Sequence, residues 1–167
     1  MPRRGQETGM DLGSRKLRVT KHKVKEELRG LFVSQPLAVL STSDDGQPYC
    51  NLIAFAPDDD IAGLIFATVR ATRKFANMAN DSRVSLLIDN RSNQVSDFRD
   101  AMAVTATGRA SELSREEKGR YLKLFLDKHP YLQDFVMSPG CALMRVQVER
   151  YYIVKRFRNV MILTLTP

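Results

Sequence analysis

The sequence predicts an α+β fold, mainly β: an antiparallel, barrel-like sheet of six or seven strands with flanking helices. Two observations lead there. Strand-like apolar runs follow one another with little helix between them, whereas a doubly wound parallel sheet needs a long helix after nearly every strand. Turn chemistry also sits where a hairpin needs it. Asp45-Gly46 separates two apolar runs, and glycine accepts the positive φ of a tight turn.

Residues 1–19 read as a basic arm and 20–167 as the folded domain. From Thr20 the spacing of Val24, Leu28, Leu31 and Phe32 predicts a helix, which ends near Ser34-Gln35-Pro36 because proline cannot continue it. Strands are expected over 37–43 and 49–55, flanking the hairpin turn, and over 61–69 after the acidic turn Asp58-Asp59-Asp60. A short helix over 73–80 leads to a strand over 83–89, a polar loop over 90–97 and a strand over 101–110. Ser114 with Glu117 three residues on forms a capping box, opening a helix through about Lys128 that His129-Pro130 breaks. A helical turn near 132–136 precedes a long strand over 141–155, and a last strand over 160–165 pairs back onto it.

Composition narrows the function. With 167 residues, 43% hydrophobic and 27% charged, the chain has the makeup of one ordinary globular domain. No apolar run approaches the roughly 18 residues of a spanning helix, and the first ten residues lack the apolar core of a signal peptide. The two cysteines, Cys50 and Cys141, stand outside any CxxC spacing, so the disulfide scaffold and zinc ribbon are excluded and a cytoplasmic location is expected. Both lie in apolar strand patterns and are expected to be buried structural thiols. The net charge of +7 is concentrated in residues 1–29, with nine basic residues against four acidic ones. That pattern reads as a solvated arm and helix face, and a nucleic-acid role is the weaker alternative.

Other motifs point away from familiar chemistries. His22 and His129 have no metal-ligand spacing, and His129 reads as a helix C-terminal residue favoured by the dipole. GxSxG, GxGxxG and P-loop patterns are absent, and Asp58-Asp59-Asp60 lacks EF-hand spacing and reads as an exposed turn. The loop Asn90-Arg91-Ser92-Asn93-Gln94 reads as a solvated connection. Arg145, Gln147 and Glu149 share one face of the long strand, lining either solvent or a partner cleft.

One segment carries a physical argument for a ligand. In Thr68-Val-Arg-Ala-Thr-Arg-Lys-Phe75, Thr72 is placed to N-cap the short helix, with Arg73 and Lys74 in its first turn. Cations there oppose the helix dipole and forgo roughly 0.3–1 kcal/mol. Two of them, with Arg70 nearby, make sense if an anion is bound. A phosphate would take hydrogen bonds from the Thr72 hydroxyl, the helix N–H groups, Arg73 and Lys74.

The run from Phe66 to Ile88, with Thr72-Arg73-Lys74 at a helix start and Asp81-Ser-Arg-Val-Ser-Leu86 after it, resembles the pyridoxamine 5′-phosphate oxidase-like FMN-binding split barrels. Gly46-Gln-Pro-Tyr-Cys-Asn-Leu-Ile53 is similar to the family's second strand and Ala106-Thr-Gly-Arg-Ala110 to a later one, the likeness covering about residues 20–160. It implies a split β-barrel homodimer with FMN in clefts between protomers. Thr72, Arg73 and Lys74 would hold the phosphate, Ala67 and Thr68 would contact the flavin from the third strand, and Asn51, Leu52 and Ile53 would line the ring. In such a dimer the 90–94 loop would border the ring. Asn51 replaces the arginine of the vitamin-B6 oxidases and Ala103 a flavin-contacting glutamine. The C-terminal Arg-x-His motif is absent, so pyridoxamine phosphate oxidation is not expected. The reading is an FMN-dependent oxidoreductase. The alternatives are a barrel holding F420 or haem, and a non-catalytic flavin or nucleic-acid binding module.

Overall fold

A computed structural model describes residues 20–157 and 159–165; the expected arm over 1–19 lies outside them. The elements in order are α1 (Lys21–Ser34), β1 (Leu37–Asp44), β2 (Gln47–Pro57), β3 (Gly63–Val69), α2 (Arg73–Asn80), β4 (Arg83–Asp89), α3 (Asp97–Asp100), β5 (Met102–Glu112), α4 (Arg115–Lys128), α5 (Gln133–Met137), β6 (Cys141–Lys155) and β7 (Asn159–Thr164). A single 3₁₀ turn, Pro130–Leu132, joins α4 to α5. The sheet runs β3-β2-β1-β4-β5-β6-β7, and β3 pairs again with β6. Six antiparallel strands therefore close into a barrel, with β7 added outside it along β6.

Period-2 alternation sorts the side chains. Ala38 and Leu40 of β1, Leu86 and Ile88 of β4, and Val104 and Ala106 of β5 fill the barrel, joined there by α1 through Val24, Leu28, Leu31 and Phe32. A second core lies outside the wall, where α4 and α5 bring Phe125 and Val136 onto Ile65 of β3 and Leu143 of β6. The capping box forms as expected, with Ser114 accepting from the Glu117 amide and Glu117 accepting from the Ser114 amide. At the other end of α4, the Lys128 ammonium donates to the carbonyls of Phe32 (2.6 Å) and Gln35 (2.8 Å), satisfying the last turn of α1.

Four expectations are corrected. The 90–97 loop runs into a one-turn helix, α3, because Asp97 gathers the amides of Ser92 and Gln94. Asp58 is buried, not part of an exposed turn; its carboxylate meets the Arg145 guanidinium at 3.2 Å. Cys50 is exposed, on the outer face of β2, whereas Cys141 is buried as expected. His129 is fully buried and is not a dipole-stabilised cation. Its Nε2 lies 2.8 Å from the Phe55 carbonyl and its Nδ1 3.1 Å from the Tyr131 hydroxyl. Donation from Nε2–H to Phe55 leaves Nδ1 to accept from Tyr131, which is the neutral tautomer.

Desolvation, opposed only in part by the Phe55 carbonyl, holds the His129 imidazole below its usual range. A histidine with a depressed folded pKa contributes stability above its unfolded value of about 6.5 that is lost as pH falls through the folded value. The urea midpoint is therefore expected to drop between pH 7.5 and 5, and the drop should be smaller in His129→Gln. Equal slopes in the two proteins would remove His129 from the acid transition.

Candidate functional site

β1 and β2 pair along the whole hairpin, from Leu37↔Ala54 to Asp44↔Gln47. β2 and β3 do not. They pair only through Phe55↔Phe66, Ala56↔Ile65 and Pro57↔Leu64. Beyond Phe55, β2 runs on through Ala54, Ile53, Leu52 and Asn51 with no β3 partner, while Ala67, Thr68 and Val69 pair only with β6. The barrel wall is split there. A three-residue link, 70–72, separates the end of β3 from the start of α2, which lies at the end of this opening.

The structure brings the expected residues to the split, although not in equal roles. Ile53 and Thr68 are buried on the inner face and Ala67 packs against the outer core, so these three offer the opening chiefly their strand edges. Leu52 points outward and is 65% exposed. Asn51 lies across from Leu40 on the inner face, and its Oδ1 is buried with no hydrogen-bond partner. A buried amide oxygen left unpaired costs about 1–3 kcal/mol, so this atom wants a donor.

At the helix end, Thr72 occupies the N-cap position but makes no capping bond. Its hydroxyl donates instead to the Val69 carbonyl at 2.8 Å and lies 3.3 Å from the Thr68 hydroxyl. Consequently the first-turn amides of α2 have no side-chain cap and no acidic neighbour in that turn. Lys74 is half-buried and has no ion-pair partner among the described residues. Arg73 lies 4.7 Å above the Tyr49 ring and 3.9 Å from Asp44, a loose and exposed pairing that leaves its guanidinium accessible.

Arg70 is corrected out of this cluster. It pairs with Glu112 and donates to the carbonyls of Pro139 (3.3 Å) and Cys141 (3.2 Å), and the Glu112 contact raises its pKa further. It fastens the end of β3 to β6. Two residues not expected at the site belong to its support. Tyr49 holds Arg73, and buried Asn77 donates to Thr42 at 3.0 Å, locking α2 onto β1. The spacing of Asn77 within an amphipathic helix was its only signal.

These features fit a phosphate-bearing planar cofactor at both ends: uncapped helix amides with two cations at one, an unpaired amide oxygen and open strand edges at the other. A family model described as pyridoxamine 5′-phosphate oxidase matches residues 24–155, which takes in every element just described through β6. The chain belongs to that family. No curated protein sequence matches it. Among solved structures, this pyridoxamine 5′-phosphate oxidase family member is similar to a heme binding protein from Mycobacterium smegmatis (TM-score 0.76, 18% identity, 87% of this chain and 60% of that one). It is also similar to General Stress Protein 26 from Bacillus anthracis (0.65, 21%, 85% and 98%) and to a FAD-binding protein from Mesorhizobium loti (0.62, 20%, 77% and 91%). The chain thus spans about three fifths of the haem-binding relative's length. Such likenesses show the fold. Among the described residues no helix is long and apolar enough to cross a membrane, and no cluster of His, Cys, Asp or Glu could hold a metal ion.

Proposed function

We propose that the protein is a flavoprotein that holds FMN non-covalently in the split between β2 and β3 and acts as an oxidoreductase on a small molecule. The observation that carries the reading is the conjunction at α2: the barrel opens where a helix begins with uncapped amides and two cations. Lys74, Arg73 and the first-turn N–H groups would hold the phosphate, and Asn51 would offer its unpaired oxygen to the ring. When bound, FMN supplies hydride or electron transfer at its ring. The protein's part is to position the ring, exclude water from its inner side with Ile53, Thr68 and the barrel core, and supply donors and acceptors along the strand edges. No side chain at the split is assigned as a general acid or base.

Two further features support a homodimer. Apart from α3 at its edge, the helices leave one sheet face uncovered, and register aligns Leu52, Val39, Leu87, Thr105, Tyr152 and Ile162 across six strands on that face. Leu52 and Ile162, at the two ends of the row, are 65% and 61% exposed. Twofold pairing through such a row is self-complementary and would swap its ends, setting one copy's β2 against the other's β5–β7 region. Ala103, at the position where the family resemblance implies a flavin contact, lies on β5 of this same face, away from its own split. A second copy would bring the two together.

The haem alternative has less support, because His22 lies on α1 and both ring nitrogens of His129 are already engaged. F420 would use the same anion cradle, and its absorption spectrum separates it from FMN. In the test, purified protein is titrated with FMN and flavin fluorescence quenching is followed. Arg73→Ala with Lys74→Ala is expected to weaken binding at least tenfold, about 1.4 kcal/mol or more, while far-UV circular dichroism stays unchanged. Unaltered affinity in the double variant removes the phosphate assignment.

A further inference from the structure

The bare face carries a second opening, a cavity of about 580 Å³ on the outer side of β4 and β5. Leu87, Ala103 and Val154 form its floor, and Val95, Phe98 and Phe157 rise around it. Its size lies in the range of small-molecule sites, and its lining is dominated by apolar and aromatic side chains.

Three observations mark it as a built site. First, its wall is rigid. Asp97 accepts from the Ser92 amide (3.0 Å), the Ser92 hydroxyl (2.9 Å) and the Gln94 amide (3.2 Å), and these bonds hold its carboxyl below the usual range. Asn90 and Met102 clamp the two ends of the loop, Met102 donating to Asn90 Oδ1 at 2.7 Å and the Asn90 amide donating to the Met102 carbonyl at 3.2 Å. Second, two phenyl rings stand at the mouth. Phe98 and Phe157 lie 5.5 Å apart between ring centres, yet are 65% and 67% exposed. Third, the backbone that presents Phe157 is unfavourable, since Arg156 and Phe157 both adopt positive φ, 52° and 55°. Bulky residues rarely take that conformation, and it persists where the surroundings impose it.

The polar groups decide what fits. Arg91 is paired with Asp89 at 3.1 Å and the Asp97 carboxylate is taken up by the amides of its own loop, so no charged group of the lining is left seeking a counter-ion. The side-chain amides of Asn93 and Gln94 line the cavity without partners among the described residues, offering donor and acceptor to a carbonyl or ring nitrogen. We infer that this cavity binds a flat, uncharged aromatic molecule of one or two rings, held at its mouth against the packed Phe98–Phe157 pair. The binding rests on one chain's geometry alone. Its role as the substrate pocket rests on the flavin homodimer proposed above, in which it would face the partner's split.

The test uses prodan, a flat, neutral naphthalene with one carbonyl group that fluoresces in apolar surroundings, with apoprotein and with protein preincubated with FMN. Wild-type protein is expected to bind it at one site per chain, and Phe98→Ala and Phe157→Ala to weaken it at least tenfold. Phe157→Gly separates binding from structure: it should lose the probe equally while melting no lower than wild type, because glycine relieves the positive φ. Unchanged probe affinity in all three variants overturns the inference. So does displacement of the probe by FMN, which would make the cavity the flavin's own seat, or dissociation of a wild-type dimer into monomers by Phe98→Ala, which would make it a packing face. Probe binding by a protein that takes up no FMN sinks the flavin reading and leaves the cavity's ligand class standing.

Discussion

Replacing Gly108 with alanine is expected to destabilise the protein by on the order of 4 kcal/mol, because the added methyl group meets backbone atoms that cannot turn away. A β-carbon at Gly108 would stand 2.1 Å from the Gln147 carbonyl oxygen and 2.9 Å from its carbon. These are backbone atoms of the neighbouring strand, and no rotamer change moves them away. The strand cannot yield without giving up its pairing, because this is where β5 and β6 change register. Thr107 pairs with Arg150 and Gly108 with Val148, leaving Glu149 as the extra residue of a bulge. The bulge reverses the side-chain parity of β6, so that Met144, Val146 and Val148 face inward before it, and Tyr151 and Ile153 after it. Tyr151 then reaches the centre of the barrel, packs against Phe32 and donates to the Ile61 carbonyl at 2.6 Å, its phenol pushed far above the ordinary range by burial. Gly30 and Gly119 provide the control. Both lie within helices with nothing within 4 Å of an added β-carbon. Alanine at either should stabilise by roughly 0.5–1 kcal/mol, through helix propensity. Urea unfolding of the three variants decides it, and a neutral Gly108→Ala would mean that the bulge can be rebuilt without its glycine.

The bulge also shows where the sequence stops being readable. Strict alternation from Arg145 through Gln147 and Glu149 puts Tyr151 on the same outward face, and only the paired strand reveals the inserted residue. Strand and helix order was legible except at α3, because the other elements carry their own period and their own stop signal. Pro36 ends α1, Gly46 turns the first hairpin and Ser114 with Glu117 opens α4. Charges and thiols were less so. Asp58 among three aspartates looks solvated, and His129 beside a proline looks like a helix end. Their burial is decided by Arg145, 87 residues away from Asp58, and by Phe55, 74 residues away from His129. At the split, Arg73 and Lys74 were identifiable because they defy a local electrostatic rule. Asn51 became informative only once the opposing strand was seen to be missing. The outer cavity had no local signature, since Phe98 and Phe157 meet although they lie 59 positions apart in the chain.

Arg145→Met is expected to cost about 3 kcal/mol, and the reason is the carboxylate it abandons more than the contact it loses. Asp58 is buried, held at the end of β2 by its own amide, which donates to the Gly63 carbonyl at 2.9 Å. Its Oδ2 faces the Arg145 guanidinium at 3.2 Å, while Oδ1 and the Arg145 Nε are buried without partners. Gly63 makes the approach feasible: a β-carbon there would lie 2.5 Å from Oδ2 and 2.6 Å from Nε. The pair thus lies over a glycine at the start of β3, close to where β2 and β3 join below the split. Methionine keeps the bulk of the arginine stem but gives up the guanidinium over Tyr121 and leaves a desolvated charge without a counter-ion. If that charge is the cause, Asp58→Asn should recover most of the loss when added to Arg145→Met, because a neutral amide needs no cation. The double-mutant cycle is expected to give a coupling of at least about 1.5 kcal/mol. Additive losses would instead mean that Arg145 acts through packing alone. Charge removal in the double variant should also leave FMN affinity near wild type, since the pair supports the barrel joint without touching the proposed cradle at α2.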